Sequence, residues 1–222
     1  MSENLEKKTR RSALSRLLNM PPIIDIDGLA RGGIERGTAR VLLSNWTKKG
    51  LVEPVGERNG AYYNLVVDPE GRKTRLGQAV LREFSVPVVI GATALHAHGW
   101  TTQMAHEMEV AVPVTRNRRR TPNIEGVKIV PRSLTWYKRI ADHVKREGYS
   151  GLALLDPEYA LADAYKYQDV WVPDPDDIDI EEASERSLAN LKTALDELKV
   201  SDDDVEKLLD YFGLSSKSPS PK

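Results

Sequence analysis

The sequence predicts an α+β chain in two parts, on three observations. An amphipathic helix over 35–49 runs directly into two strand-like segments joined by a glycine-bounded loop. Further on, short apolar strands alternate with helical stretches. The charge also divides along the chain. Residues 1–140 carry 23 Lys/Arg against 13 Asp/Glu, a net of +10, and residues 141–222 carry 9 against 20, a net of −11, although the whole sums to −1. Such an asymmetry suits a basic end that meets a polyanion.

Length and composition set the frame. With 222 residues, two domains are expected, because domain sizes peak near roughly 100–150 residues. Apolar residues make up 40% and charged residues 29%, an ordinary globular balance. No apolar run approaches the ~20 residues a membrane helix needs, and the first thirty residues hold no signal-peptide apolar core. The chain has no cysteine, which excludes disulfides, Cys-based zinc fingers and thiol catalysis. A cytoplasmic location and no membrane partner are expected.

In chain order, residues 1–11 read as a basic flexible arm containing Lys7, Lys8, Arg10 and Arg11. A short helix over 12–18 places Leu14, Leu17 and Leu18 at helical spacing and stops at Pro21-Pro22. Asp25 or Asp27 can cap a second short helix at 28–31, and Gly32-Gly33 makes a turn. The third helix, 35–49, is the clearest element. Ala39, Leu42, Leu43 and Trp46 form one apolar face, and Gly50 is placed for a left-handed C-cap. Strands over 51–55 and 61–67 flank the loop Gly-Glu-Arg-Asn-Gly and predict a hairpin. Helix, helix, turn, helix, hairpin is the order of a winged helix-turn-helix, assigned to residues 12–68.

Asp68–Gly71 is read as a turn and linker. A mixed α/β domain is expected over 74–172: helix 74–83, strand 86–90, helix 92–98, strands 109–114, 127–130 and 151–155, and a Pro-initiated helix 157–167. C-terminal helices over 180–198 and 202–212 form an extension (180–213), which can pair two copies or pack back on the domain. Residues 214–222 read as a disordered tail.

Groove-reading helices bury one face and present small polar and basic groups on the other. The candidate DNA-binding residues are therefore Arg36, Thr38, Arg40, Ser44, Asn45 and Lys48, with Arg58 and Asn59 on the wing and Lys7, Lys8, Arg10 and Arg11 on the arm. Gly37 leaves room for close approach, and the positive helix terminus favours phosphate. Arg116, Arg118, Arg119 and Arg120 form a possible second basic patch; a solvated loop is the plainer reading. His96 and His98, two apart on a helix, point to different faces, so no metal is expected. The carboxylates Asp156, Glu158 and Asp163 come with no nucleophile or phosphate loop. The chain is read as no enzyme and as carrying no cofactor.

The segment Gly-Ala-Thr-Ala-Leu-His-Ala-His-Gly (91–99), the strand ending Val112-Pro113, the basic loop after it and the strand from Gly126-Val127 resemble the AbiEi family of antitoxins. So does the later motif formed by Pro157, Glu158, Ala160, Leu161 and Asp163. With a winged helix in front, the resemblance covers roughly residues 10–170. The wing is longer than the compact Arg-Gly-x-Tyr wing of the family, and the helices after about 175 have no counterpart. The resemblance implies a type IV toxin–antitoxin and phage-defence protein. Its winged helix would bind double-stranded DNA, inverted repeats in its own promoter, as a repressor. Its second domain would counter a nucleotidyltransferase toxin without a stable complex, and the protein would be a monomer or weak dimer. The alternatives are a stand-alone winged-helix regulator whose second domain senses a ligand or partner, and a nucleic-acid enzyme using the second-domain carboxylates or histidines.

Overall fold

The structure, a computed structural model, describes residues 13–57, 59–114, 122–179 and 185–212. The fold is α+β. Contacts divide the described residues into two compact units: those up to Glu83 together with 122–125, and those from Phe84 onward without that segment.

The first unit begins with helix α1 (residues 13–17) and strand β1 (Ile23–Asp25). Helices α2 (Ile26–Arg31) and α3 (Arg36–Lys48) follow, then β2 (Val52–Pro54) and β3 (Ala61–Asn64). The three strands form one antiparallel sheet in the order β1-β3-β2. Ala39, Leu43 and Trp46 on α3 bury against Leu17, Ile24 and Leu29, at the spacing the sequence predicts. Leu42 is only partly buried. Asp25 is the cap of α2: its side chain accepts the Gly28 N–H. Gly50 has φ 64°, the left-handed conformation expected after α3. Asn64 is fully buried, and its side-chain amide donates to the carbonyl of Leu17 at 2.8 Å, fastening α1 to β3.

The unit does not end at the expected linker. Helices α4 (Gly71–Thr74) and α5 (Leu76–Glu83) belong to it. Asp68 accepts hydrogen bonds from Thr74 Oγ1 (2.7 Å) and Arg75 Nε (2.8 Å), and Arg82 ion-pairs with Asp25. The Asp68 bonds fold 68–75 on itself, the Arg82–Asp25 pair ties α5 to the start of α2, and Ala79 and Val80 of α5 are buried.

The second unit is a mixed five-stranded sheet, in the order β6-β5-β4-β8-β7. Its elements are β4 (Val88–Val89), α6 (Gly91–Ala97), β5 (Met108–Pro113), β6 (Val127–Arg132), α7 (Leu134–Arg139), β7 (Val144–Tyr149), β8 (Leu152–Leu155) and α8 (Pro157–Tyr167). Pairs β5–β6 and β4–β8 are parallel, and β4–β5 and β7–β8 antiparallel. Sequence reading misses α7 and β7. The first is only six residues long, and the second, Val-Lys-Arg-Glu-Gly-Tyr, is a charged edge strand with no apolar alternation. Helix α8 is buried from Glu158 to Tyr165, all round rather than along one stripe.

The C-terminal helices α9 (Glu185–Leu198) and α10 (Asp202–Tyr211) complete the unit. Leu191, Ala194, Leu195 and Leu198 of α9 are buried, and Tyr159 Oη of α8 donates to Glu197 at 2.7 Å. The choice left open by the sequence is thereby made for α9, which packs back on its own unit. No helix among the described residues is long and apolar enough to cross a membrane.

Candidate nucleic-acid interface

Helix α3 contains no acidic residue, and its outward face carries Arg36, Gly37, Thr38, Arg40, Val41, Ser44, Asn45 and Lys48, all exposed. The side chains do not all stand equally ready. Arg36 forms an ion pair with Asp27 at 2.8 Å, with both partners exposed. The Thr38 hydroxyl donates to Glu35 Oε2 at 3.1 Å. Arg40, Ser44, Asn45 and Lys48 have no side-chain hydrogen bond or ion pair among the described residues. An exposed pair such as Arg36–Asp27 contributes only about 0–1 kcal/mol, so a competing phosphate can take the guanidinium at little cost.

The α3 terminus, expected to favour phosphate, is capped by a side chain of the protein itself. Glu35 is the N-cap, and its carboxylate accepts from the N–H groups of Gly37 (3.2 Å) and Thr38 (3.3 Å). The Gly37 N–H, the Thr38 hydroxyl and the Thr38 N–H hold this carboxyl below the ordinary range. An anionic side chain therefore already occupies this helix terminus.

The hairpin between β2 and β3 also departs from the expectation. Asn59 does not stand free at its tip: its amide donates to the Asn123 carbonyl at 3.2 Å. The Glu125 N–H donates to the Val55 carbonyl at 3.0 Å, so 122–125 lies against the hairpin. Gly56 permits this, because a Cβ there would overlap the carbonyl oxygen of Asn123. Glu53, Glu57 and Glu125 line a cleft beside the hairpin, and Arg72 pairs with Glu53 and Glu125. Lys7, Lys8, Arg10, Arg11, Arg58, Arg116, Arg118, Arg119 and Arg120 lie outside the described residues.

The motif Pro157, Glu158, Ala160, Leu161, Asp163 opens and fills α8. Its acid is committed to structure. Asp163 is fully enclosed and receives Arg132 Nε at 3.0 Å, Arg132 Nη2 at 2.7 Å and Trp136 Nε1 at 2.6 Å. Arg132, also buried, makes two further bonds of 2.7 Å to Asp169 and lies 4.0 Å from the centre of the Tyr167 ring. Against the cost of burial, Asp169 and Asp163 hold this guanidinium above its ordinary range. Asp163 stands out in the sequence but Arg132 does not, because the pairing spans 31 residues. His96 Nδ1 lies 3.1 Å from the carbonyl of Thr101, a local contact, and His98 Nε2 lies 3.0 Å from the carbonyl of Leu155 on β8.

No protein-family model and no curated protein matches the chain. Among solved structures, the chain is similar to the crystal structure of the Rv2827c protein from Mycobacterium tuberculosis, at 15% identity and a TM-score of 0.49, over 94% of this chain and 82% of that one.

Proposed function

We propose that the first unit is a winged helix-turn-helix that binds double-stranded DNA in the promoter of its own operon, and that the protein is a cytoplasmic antitoxin and autorepressor of a type IV toxin–antitoxin system. The observation that carries the DNA reading is α3. Its inner face is locked by Ala39, Leu43 and Trp46, and its outer face presents Arg40, Ser44, Asn45 and Lys48 without a competing acid on the helix. A duplex groove calls for that combination of rigid backing and short polar or basic reach. The strand order β1-β3-β2 behind the helix supports the winged-helix reading.

The antitoxin part rests on the AbiEi resemblance of residues 91–99, 112–127 and 157–163. In this reading the second unit counters a nucleotidyltransferase toxin and forms no stable complex with it. The buried Arg132–Asp163 pair supports a structural rather than catalytic role for the shared motif.

The test is binding of the purified chain to a labelled duplex spanning its own upstream region, titrated with salt and with unlabelled non-specific DNA. Sequence preference and an affinity that falls with salt are expected. Where the operon encodes a nucleotidyltransferase, co-expression of this chain should restore the growth which that protein stops. A chain that shows no preference for the upstream duplex contradicts the DNA reading, and failure to restore growth contradicts the antitoxin reading.

A further inference from the structure

Apart from Gly37, the presented face of α3 is polar or basic except at one position. Val41 is 60% exposed, whereas Ala39 and Leu43, its neighbours on the inner face, are completely buried. It lies one turn beyond Gly37 and one turn before Ser44 and Asn45, on the same face. A β-branched side chain on a solvent-facing helix surface is less favourable than alanine there, and it gains no burial in compensation. Gly37 has no side chain, and the N–H groups of the first turn are covered by Glu35. Val41 is therefore the one exposed side chain of α3 that offers hydrocarbon and no hydrogen-bonding atom.

Resting on the DNA reading above, we propose that Val41 is a specificity-determining residue that recognises the 5-methyl group of a thymine in the major groove. The thymine methyl is the one apolar group that base pairs of unmodified duplex DNA display there, and aliphatic contact with it is a recurring mode of direct readout. The helix itself carries Arg36, Arg40 and Lys48 and no acid, although Glu35 caps its N-terminus and Asp27 pairs with Arg36, so the positive charge nearest Val41 comes from Arg40 and Lys48. Asn45, one turn on, is suited to the edge of a neighbouring adenine.

The test compares the full-length wild type with Val41→Ala, Val41→Ile and Arg40→Ala, using the upstream duplex and derivatives in which each thymine is singly replaced by deoxyuridine. That replacement removes only the methyl. At one thymine in each bound site, wild type and Val41→Ile should lose about three- to five-fold in affinity, as expected for burial of one methyl group. Val41→Ala should bind the thymine duplex more weakly by a similar factor and be indifferent to uracil at that position. Its thermal unfolding should be unchanged or shifted upward, because the site is exposed and alanine favours helix. If wild type tolerates every replacement, or Val41→Ala keeps the wild-type sensitivity, the proposal is overturned. Arg40→Ala separates the two failures. If it still weakens binding, only the role of Val41 falls. If wild type itself shows no preference for the upstream duplex, the DNA reading falls as well.

Discussion

Arg132 and Asp163 face each other through two hydrogen bonds of 3.0 and 2.7 Å, with both side chains almost completely withdrawn from water. The first ends β6, an edge strand of the five-stranded sheet, and the second lies within the buried α8, so the pair clamps that strand to the helix. Removing one partner leaves the other charged and buried. Arg132→Met should therefore destabilise the unit by about 3–5 kcal/mol, while Arg132→Met with Asp163→Leu should recover much of that loss. Urea denaturation of the three proteins checks this. A double variant no more stable than the single one would show that the clamp is not an electrostatic one.

Gly56 is where the hairpin admits the segment 122–125. Gly56→Ala would push its Cβ into the carbonyl of Asn123. The segment should then leave the hairpin and lose the bond from Glu125 N–H to Val55. Hydrogen exchange reads this directly: the Glu125 amide should lose protection while those of α3 keep theirs. Unchanged protection at Glu125 would mean that the carbonyl can move aside without releasing the segment.

These two cases mark what a sequence can and cannot disclose. Helix α3 was legible because Ala39, Leu43 and Trp46 repeat at helical spacing, and periodicity is a local signal. The hairpin was legible from Gly56, Gly60 and the flanking apolar runs. The bond from Asn59 to Asn123 spans 64 residues and involves a backbone carbonyl, so no pattern announces it. The same holds for Arg132, which in the sequence is one basic residue among many. At the candidate interface, residue types were readable but their engagement was not. Nothing local shows that Arg36 reaches Asp27 nine residues back while Arg40 stays unpaired among the described residues.

Glu109 gives a pH-dependent prediction. Its carboxylate is buried and accepts from the N–H groups of Ala92 (2.8 Å) and Trp171 (3.2 Å). Burial raises its pKa above the ordinary value, although the two N–H donors oppose the shift. The folded protein therefore binds this proton more tightly than the unfolded chain does. The resulting stabilisation is complete below the unfolded value of 4.5 and is lost as pH rises through the higher folded value. Glu109→Gln removes the titration. Its stability deficit against wild type should be largest in acid and shrink as pH rises above about 4.5. A deficit that grows with pH would reverse the sign and place the carboxylate in a net charge-favouring environment.

The pairing on α3 ranks the two arginines at its N-terminal end. Arg36 is held by Asp27, while Arg40 has no ion pair among the described residues. If α3 reads DNA, Arg40→Ala should weaken binding to the upstream duplex more than Arg36→Ala, by about five-fold to 150-fold for a base contact worth about 1–3 kcal/mol. Asp27→Asn should do the opposite. It removes an exposed negative charge beside the helix and releases a guanidinium for phosphate. Affinity should rise, and the dependence of log affinity on log salt should steepen by about one unit for each additional phosphate neutralised. Titrating the labelled duplex at several salt concentrations measures both. If Asp27→Asn weakens binding, the Arg36–Asp27 pair positions the helix for its groove, and Arg36 is not a side chain held in reserve for phosphate.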